Sequence, residues 1–188
     1  MFSRQILTGL RLLLVLIVVL GVGYPLLVWG IGQTALRERA DGSLLVHDGT
    51  VSGSTLIGQS FAGDQWFLPR PSAHDYDALA SGGTNAGPSN PDLLHTIAAR
   101  RAEVARREGV DPRQVPADAV TASASGLDPF ISPTYARLQE ARVARVRGLP
   151  VDRVRALVAA ATSGRTLGFL GEPRVNVVTL DAALAGDG

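Results

Sequence analysis

The sequence predicts an α+β protein, in which one N-terminal transmembrane helix precedes a single domain of helices and short strands. Three observations support this fold class. An apolar stretch of membrane-spanning length lies near the N-terminus. Short apolar stretches divided by glycine and other turn residues follow it. The C-terminal half then carries three helical patterns with start and stop residues.

The apolar stretch covers residues 12–32, which carry no charge, and fourteen of these residues are Leu, Ile or Val. As a helix it would be about 31 Å long, which matches the hydrocarbon thickness of a bilayer. A cleavable signal peptide is the alternative, but its apolar region runs only about 7 to 15 residues and ends at a small-residue site. We therefore expect an uncleaved transmembrane helix.

Charges flanking this helix predict its orientation. Arg4, Arg11 and the terminal amine precede it, and Arg37 and Arg39 follow it. Acidic residues contribute little to the positive-inside rule, so the amine decides the comparison. We expect residues 1–11 to form a short cytoplasmic N-terminus and residues 33–188 a soluble extracytoplasmic domain. The chain would then be a single-pass protein of the cell inner membrane.

The elements of the domain follow in the order β, loop, α, α, α, β. Residues 43–46, 55–57 and 65–68 are predicted to be short strands. Residues 69–91 hold so many Pro, Gly, Ser and Asn residues that we expect a long functional loop. Three helices are predicted next, from Asn90 to Gly109, from Ser132 to Arg147 with a stop at Gly148, and from Pro150 to Gly164. Residues 174–180 are β-branched and predict a final strand.

Composition excludes several function classes. The chain has no cysteine, and all 18 of its cationic side chains are arginine. Disulfides, thiolate chemistry, Schiff bases and the lysine of a phosphate-binding loop are therefore absent. A formal net charge of +1 gives no basic field for nucleic acid. The three histidines, His47, His74 and His95, lie too far apart in sequence for a recognisable metal motif, so no metal site is expected.

Local motifs are weak. Residues 81–84, Ser-Gly-Gly-Thr, offer backbone N–H groups to an anion, although a tight turn is the usual role of such a tetrapeptide. Ser72 and His74 form the sole nearby nucleophile–base pair, which keeps an anchored periplasmic hydrolase open as an alternative. A solute-binding module is a further alternative. We expect Gly82, Gly83 and Gly126 to adopt positive φ angles that β-branched side chains tolerate poorly.

Longer segments are more specific than these motifs. They are, in chain order, Arg70-Pro-Ser-Ala73, Ser81-Gly-Gly-Thr-Asn85, Pro88-Ser-Asn-Pro91, Val115-Pro116, Val120-Thr-Ala-Ser-Ala-Ser-Gly-Leu-Asp-Pro129, Ile131-Ser-Pro133, Gln139, Arg142-Val-Ala144 and Gly171-Glu-Pro-Arg-Val-Asn176. In this order they resemble the C subunit of the bacterial Kdp potassium-transporting ATPase, and the resemblance covers the whole chain. Two positions depart from the pattern: Thr84 stands where serine is usual, and Phe130 where a histidine is expected.

The resemblance implies a non-catalytic accessory subunit of a high-affinity, ATP-driven potassium importer. The implied partners are a channel-like subunit that selects potassium, a P-type ATPase subunit and a small one-helix subunit. The implied role is to support assembly and to act as a catalytic chaperone that raises the affinity of the ATPase subunit for ATP. No cofactor is expected to be tightly bound, and ATP would be met only in a ternary complex with the ATPase subunit.

The resemblance also implies which residues carry the function, with no catalytic residue among them. Nucleotide or partner contacts are expected at Ser81, Gly82, Gly83, Thr84 and Gln139. Partner or structural loop residues are expected at Arg70, Pro71, Ser72, Asn85, Ser123, Ser125, Gly126, Asp128, Pro129, Ser132, Pro133, Glu172, Arg174 and Asn176. An extracytoplasmic domain cannot meet cytoplasmic ATP, so an effect on ATP affinity would then pass through the membrane subunits. Such a domain would instead be placed to cover the potassium entry mouth.

Overall fold

The computed structural model describes residues 2–47 and 49–186 and has the predicted α+β architecture. A continuous helical segment, Phe2–Ala35, precedes a domain of helices and two small sheets. This segment is long and apolar enough to cross a membrane, and none of its most apolar window is buried. The predicted span at 12–32 lies within it.

The membrane-length segment has three parts, namely α1 (Phe2–Val18), one π-helical turn (Val19–Gly23) and α2 (Tyr24–Ala35). At the end of the π turn, the Tyr24 N–H donates to the carbonyl of Val19. Pro25 follows directly, and a proline in an α-helix crowds the carbonyl four residues before it. The wider π turn gives that ring room and keeps the helix continuous.

A β-hairpin follows the membrane-length segment. After α3 (Arg37–Ala40), β1 (Leu44–His47) pairs antiparallel with β2 (Thr50–Ser54). The first predicted strand is therefore confirmed to within a residue. The other two early strands are wrong. Residues 55–57 form a turn after β2, and at 65–68 side chains take the place of a neighbouring strand: the Phe67 N–H donates to Asp181 and the Leu68 N–H to Gln139.

The three predicted helices are confirmed as α4 (Pro91–Glu108), α5 (Pro133–Arg147) and α6 (Val151–Ala160). Asn90 caps α4 by accepting hydrogen bonds from Asp92 and Leu93, and Gly109 ends it with a φ of 69°. Ser132 caps α5 in the same way. Only α6 is shorter than predicted, because Thr162 and Ser163 leave the helix to join a sheet as β4 (Thr162–Ser163).

That sheet is antiparallel, with β5 (Arg174–Asn176) between β3 (Phe130–Ile131) and β4. The predicted strand at 174–180 is wrong beyond Asn176, where α7 (Val177–Gly186) begins. Asn176 causes the change, since its side-chain oxygen accepts a hydrogen bond from the Thr179 N–H at 3.1 Å and so starts the helix. The β-branched residues that suggested a strand lie in a helix whose Val177, Leu180 and Leu184 are fully buried.

The helices and the three-stranded sheet enclose the core, which includes Phe67, Val143, Val154 and Val175. An ion pair lies within this part of the domain. Arg142 Nε is 2.9 Å from Glu108 Oε1, and the two side chains are 2% and 1% exposed. Arg142 also donates to the carbonyls of Asp64 and Trp66 and to Gln139 Oε1. A single side chain therefore holds α4, α5 and the segment 64–66 together.

Candidate functional site: a loop junction and a polar groove

The long loop at 69–91 packs against the loop at 121–129, and we call residues 70–84 with 122–128 the loop junction. Backbone bonds join the two sides: the Ser123 N–H donates to the Pro71 carbonyl at 3.2 Å, and the Gly82 N–H donates to the Ser125 carbonyl at 2.9 Å. Arg70 adds a donation to the Ala122 carbonyl. The loop is thereby ordered by its contacts with a second loop, although it has no strands or helices of its own before α4.

Ser72 lies at the centre of the junction. Its hydroxyl donates to the Gly126 carbonyl at 2.8 Å and accepts hydrogen bonds from the N–H groups of His74 and Tyr76. The Tyr76 hydroxyl in turn donates to the Arg70 carbonyl, and burial raises the pKa of this phenol further above its usual range. The Ser72 hydroxyl is thus used to hold the loops. The hydrogen bond that relates it to His74 comes from the His74 backbone, which provides no general base.

The glycines of the junction stand where the two loops approach each other. A Cβ on Gly126 would lie 3.0 Å from the Gly82 carbonyl oxygen, and one on Gly83 would lie 3.2 Å from the Ala124 carbonyl oxygen. Gly126 has the expected positive φ, at 70°. Gly82 and Gly83 do not, so the expectation for these two is wrong. At Gly83 the close approach of the opposite loop, rather than φ, opposes a side chain, because the Ala124 carbonyl would have to shift to make room for it.

The predicted nucleotide or partner contacts fall in two separate environments. Ser81 and Thr84 are exposed, and the Ser81 hydroxyl donates to the Ser125 carbonyl. Gln139 is fully buried on α5. Its amide donates to the Leu68 carbonyl at 3.1 Å and accepts from the Leu68 N–H at 2.7 Å. Both ends of that amide are therefore engaged inside the domain.

Beside the junction lies a polar groove of about 320 Å³. Six side chains define its chemistry, namely Arg70, Asp118, Asp128, Phe130, Glu172 and Arg174. Arg70 Nη1 lies 3.3 Å from Asp128 Oδ2, and both side chains are about a quarter exposed. The Arg70 Nε is buried and has no hydrogen-bond partner in the described part of the chain. Two guanidinium groups next to three carboxylates suit the recognition of a polar protein surface.

The remaining predicted loop residues have different local roles. Asp118 accepts hydrogen bonds from the Ser132 N–H at 2.6 Å and hydroxyl at 3.0 Å, which fixes the start of α5 at Pro133. Asn176 donates to the Thr55 carbonyl and joins the sheet to the turn after the hairpin. Pro129 accepts from the Val177 N–H. Asn85 is exposed, with a φ of 52°.

Phe130, which stands where a histidine is expected, has a defined role in the groove. The guanidinium carbon of Arg174 lies 4.2 Å from the centre of its ring. A cation over an aromatic face is stabilised by the ring quadrupole. A neutral aromatic ring therefore holds the arginine at this position, with no proton to exchange.

Sequence reasoning missed the roles of three buried charged residues, Glu108, Arg142 and Asp181. Arg142 was noted only within a matching segment, and Glu108 and Asp181 were not singled out. Asp181 is 1% exposed. Its Oδ1 accepts the Phe67 N–H, and its Oδ2 has no partner in the part of the chain that the structure describes. Burial raises the pKa of Asp181 to about 8, against the opposing effects of the Phe67 N–H and of Arg147 and Arg142. A single acid within the apolar pattern of α7 was the available signal.

Across residues 2–47 and 49–186, no three or more His, Asp or Glu side chains lie together in a way that would hold a metal ion. The family model described as the K+-transporting ATPase, c chain, matches residues 6–186. The chain belongs to this family. It is a subunit of a potassium-transporting ATPase complex and is not a catalytic enzyme by itself. With its apolar N-terminal helix it is a membrane protein.

Individual relatives agree with the family match. The potassium-transporting ATPase KdpC subunit of Kineococcus radiotolerans is 55% identical over 183 residues, which cover 96% of this chain and 93% of the relative. The KdpC subunit of Xanthomonas campestris pv. campestris is 50% identical over 171 residues, with 90% and 82% covered. That of Methylococcus capsulatus is 50% identical over 179 residues, with 94% of each chain covered.

Proposed function

We propose that the chain is a non-catalytic accessory subunit that supports assembly of the potassium-transporting ATPase and raises the affinity of its P-type ATPase subunit for ATP. Its direct partners in this proposal are the channel-like subunit, the ATPase subunit and the small one-helix subunit. Residues 1–11 lie in the cytoplasm, 12–32 span the inner membrane and 33–188 lie outside. Potassium transport is the activity of the whole complex.

This proposal rests on the structural roles of the residues in the segments that resemble the family. Ser72, Gly82 and Gly126 hold two loops together, and Arg70 and Arg174 line a polar groove beside them. This arrangement is a fixed, charged surface of the kind that recognises another protein. The Arg70 and Asp128 side chains are each about a quarter exposed, so part of this ion pair is open to polar groups of a partner.

An effect on ATP affinity is proposed to be indirect. Gly82 already donates its N–H to Ser125, and both ends of the Gln139 amide bind Leu68. Neither group has a free position for a phosphate or a base in this arrangement. The effect on ATP is then a coupling free energy between subunits, which is reciprocal: ATP bound to the ATPase subunit tightens its complex with this chain by the same factor. Contact of Ser81–Thr84 or Gln139 with ATP in a ternary complex would require the domain to lie in the cytoplasm, which the proposed topology does not provide.

A second role is favoured by the short connection between the helix and the domain. Only residues 36–43 separate the end of α2 at Ala35 from the start of β1 at Leu44, and α3 takes up part of them. The domain is therefore held close to the membrane surface. There it would cover the potassium entry mouth of the channel-like subunit.

The experiment compares purified complex with and without this chain. Without it, we expect a higher KM for ATP in potassium-stimulated hydrolysis, and adding the chain back should restore the lower value. A variant chain with Arg70→Gln and Arg174→Gln tests the groove, and we expect it to restore the lower KM for ATP only poorly. ATP hydrolysis by the chain alone, or an unchanged KM in its absence, would contradict the proposal.

A further inference from the structure

The segment between β4 and β5 carries an exposed apolar turn, which we call the tip (residues 166–170). Leu167, Phe169 and Leu170 are 78%, 71% and 50% exposed. Large apolar side chains that lie together in solvent mark binding sites more often than isolated ones do. The tip itself does not line the polar groove. Glu172, Pro173 and Arg174 do line it, and Gly171 alone separates them from the tip.

The tip has a fixed shape. Thr166 and Leu170 exchange two backbone hydrogen bonds of 2.9 Å, and the Gly168 N–H donates to the Arg165 carbonyl at 3.1 Å. An ion pair of 2.9 Å between Arg165 and Glu172 closes its base. Leu167 has a φ of 55°, a conformation that a leucine keeps only where its surroundings hold it. A preformed turn loses little entropy on binding, which increases affinity.

The size of the tip limits what it can bind. Its three side chains offer on the order of a few hundred Å² of surface, against about 1,200 to 2,000 Å² for a specific, stable interface. The tip is too small to hold two copies of this chain together by itself. It suits an anchor within a larger interface, with a partner that the membrane already keeps nearby.

The charges at the base of the tip indicate whether its partner is a protein or a lipid surface. Segments that insert into a bilayer are typically flanked by unpaired cations that attract anionic headgroups. Here the flanking Arg165 is neutralised by Glu172, which is the more exposed of the two, with side-chain exposures of 47% and 80%. The continuity of the tip with the groove also favours a protein, because the groove has the mixed charge of a polar rim.

We propose that the tip inserts Leu167, Phe169 and Leu170 into an apolar pocket of another protein subunit of the ATPase complex, while the polar groove forms the rim of the same interface. This proposal rests on the accessory-subunit function above. It adds an anchor of defined chemistry, which the resemblance did not single out. By this proposal the loops set the position of the domain and the tip supplies the apolar contact.

The test places a photoreactive benzoylphenylalanine at position 169 in the intact complex in native membranes. Irradiation should join it to another subunit, while the same group at Leu94, which is 53% exposed on α4, should give no such product. Adducts with lipid only, with a second copy of this chain only, or no adduct would each overturn the proposal.

Variants give an independent measure. Leu167→Ser with Phe169→Ser should lower the affinity of the chain for the remaining subunits about tenfold or more, as expected for loss of an aromatic anchor, whereas Leu94→Ser should bind like the parent. Near-UV circular dichroism of the variants verifies folding. If the complex assembles and works without this chain, the accessory function itself fails. If the chain is needed but the double variant binds like the parent, only the tip proposal fails.

Discussion

The Ser72 hydroxyl lies 2.8 Å from the carbonyl oxygen of Gly126, a residue 54 positions further along the chain. This hydrogen bond joins the loop after residue 69 to the loop before β3, and the two that Ser72 accepts, from the N–H groups of His74 and Tyr76, fix the turn within its own loop. The polar groove depends on this junction because Arg70 and Asp128 come from opposite sides of it.

Replacing Ser72 by alanine should loosen the junction. The Gly126 carbonyl, which is buried, would lose its partner at a cost of about 1–3 kcal/mol, while the exposed N–H group of His74 can bond to water instead. We expect a lower unfolding temperature of the full chain in detergent and weaker assembly of the complex. Ser89→Ala, at an exposed position of the same loop, is the control. Equal behaviour of the two variants would count against a structural role for Ser72.

Valine at Gly126 or Gly83 should impair the complex while leaving membrane insertion intact. At Gly126 both the φ of 70° and the 3.0 Å approach to the Gly82 carbonyl oppose a side chain, so we expect the larger loss there, about 2 kcal/mol or more. Gly87→Val is a matched control, since nothing lies within 4 Å of a Cβ at that position. Growth on limiting potassium reports the outcome. If both variants grew like the parent, the loop junction would not be needed for the function of the complex.

Breaking the buried ion pair should destabilise the domain strongly. Glu108→Gln leaves the Arg142 charge, 2% exposed, without a counter-charge, which costs about 3–5 kcal/mol. Glu103→Gln makes the same change on the same helix, but its side chain is 53% exposed in its pair with Arg107, so we expect less than about 1 kcal/mol. Denaturant unfolding of both variants in detergent compares them. A small effect at Glu108 would mean that water reaches Arg142.

Asp181 should make the stability of the domain depend on pH. Its pKa rises on folding from an ordinary carboxyl value to about 8, so the folded state binds the proton more tightly. The contribution is full below the unfolded pKa and is lost as the pH rises through about 8. Asp181→Asn should therefore stabilise the chain at pH 8 relative to the parent and flatten the profile between pH 5 and 8. Asp152→Asn, which removes a carboxylate whose side chain is 91% exposed, is the control for the loss of a negative charge.

Orientation can be measured with one introduced thiol, because the chain has no cysteine. Leu79→Cys places it at a residue that is 96% exposed. A membrane-impermeant maleimide added to intact spheroplasts should label this variant as fully as it does after lysis. Labelling that requires lysis would put the domain in the cytoplasm and make direct contact with ATP feasible.

Local signals predicted the helices of the domain well. Asn90 and Ser132 cap their helices with their own side chains, and Gly109 and Gly148 end them with positive φ angles, so each boundary is decided within a few residues. The membrane-length helix could also be predicted from local sequence, because the length of its apolar stretch is sufficient to define it. The resemblance added the residues of the junction and the groove, but not the way in which they contact one another.

The errors lie where distant residues decide the local structure. The N–H group of Leu68 bonds to the side chain of Gln139, which is 71 positions away, in place of a neighbouring strand. Residues 177–180 have the composition of a strand and form a helix, because Asn176 caps it and the core surrounds it. The role of Asp181 was hidden for the same reason, since its partner at Phe67 is 114 positions away.

The position of Arg142 has a consequence for how the chain is made. Its guanidinium binds a carbonyl 78 residues earlier in the sequence, at Asp64. At a synthesis rate of about 5–20 residues per second, roughly 4 to 16 seconds pass between the addition of the two residues. Throughout nearly all of that interval the carbonyls of Asp64 and Trp66 lack their arginine donor, and the Glu108 carboxylate, which is added only 34 residues before Arg142, lacks it for the last part. The contacts that hold α4, α5 and the segment 64–66 together therefore form only after most of α5 has been added to the nascent chain.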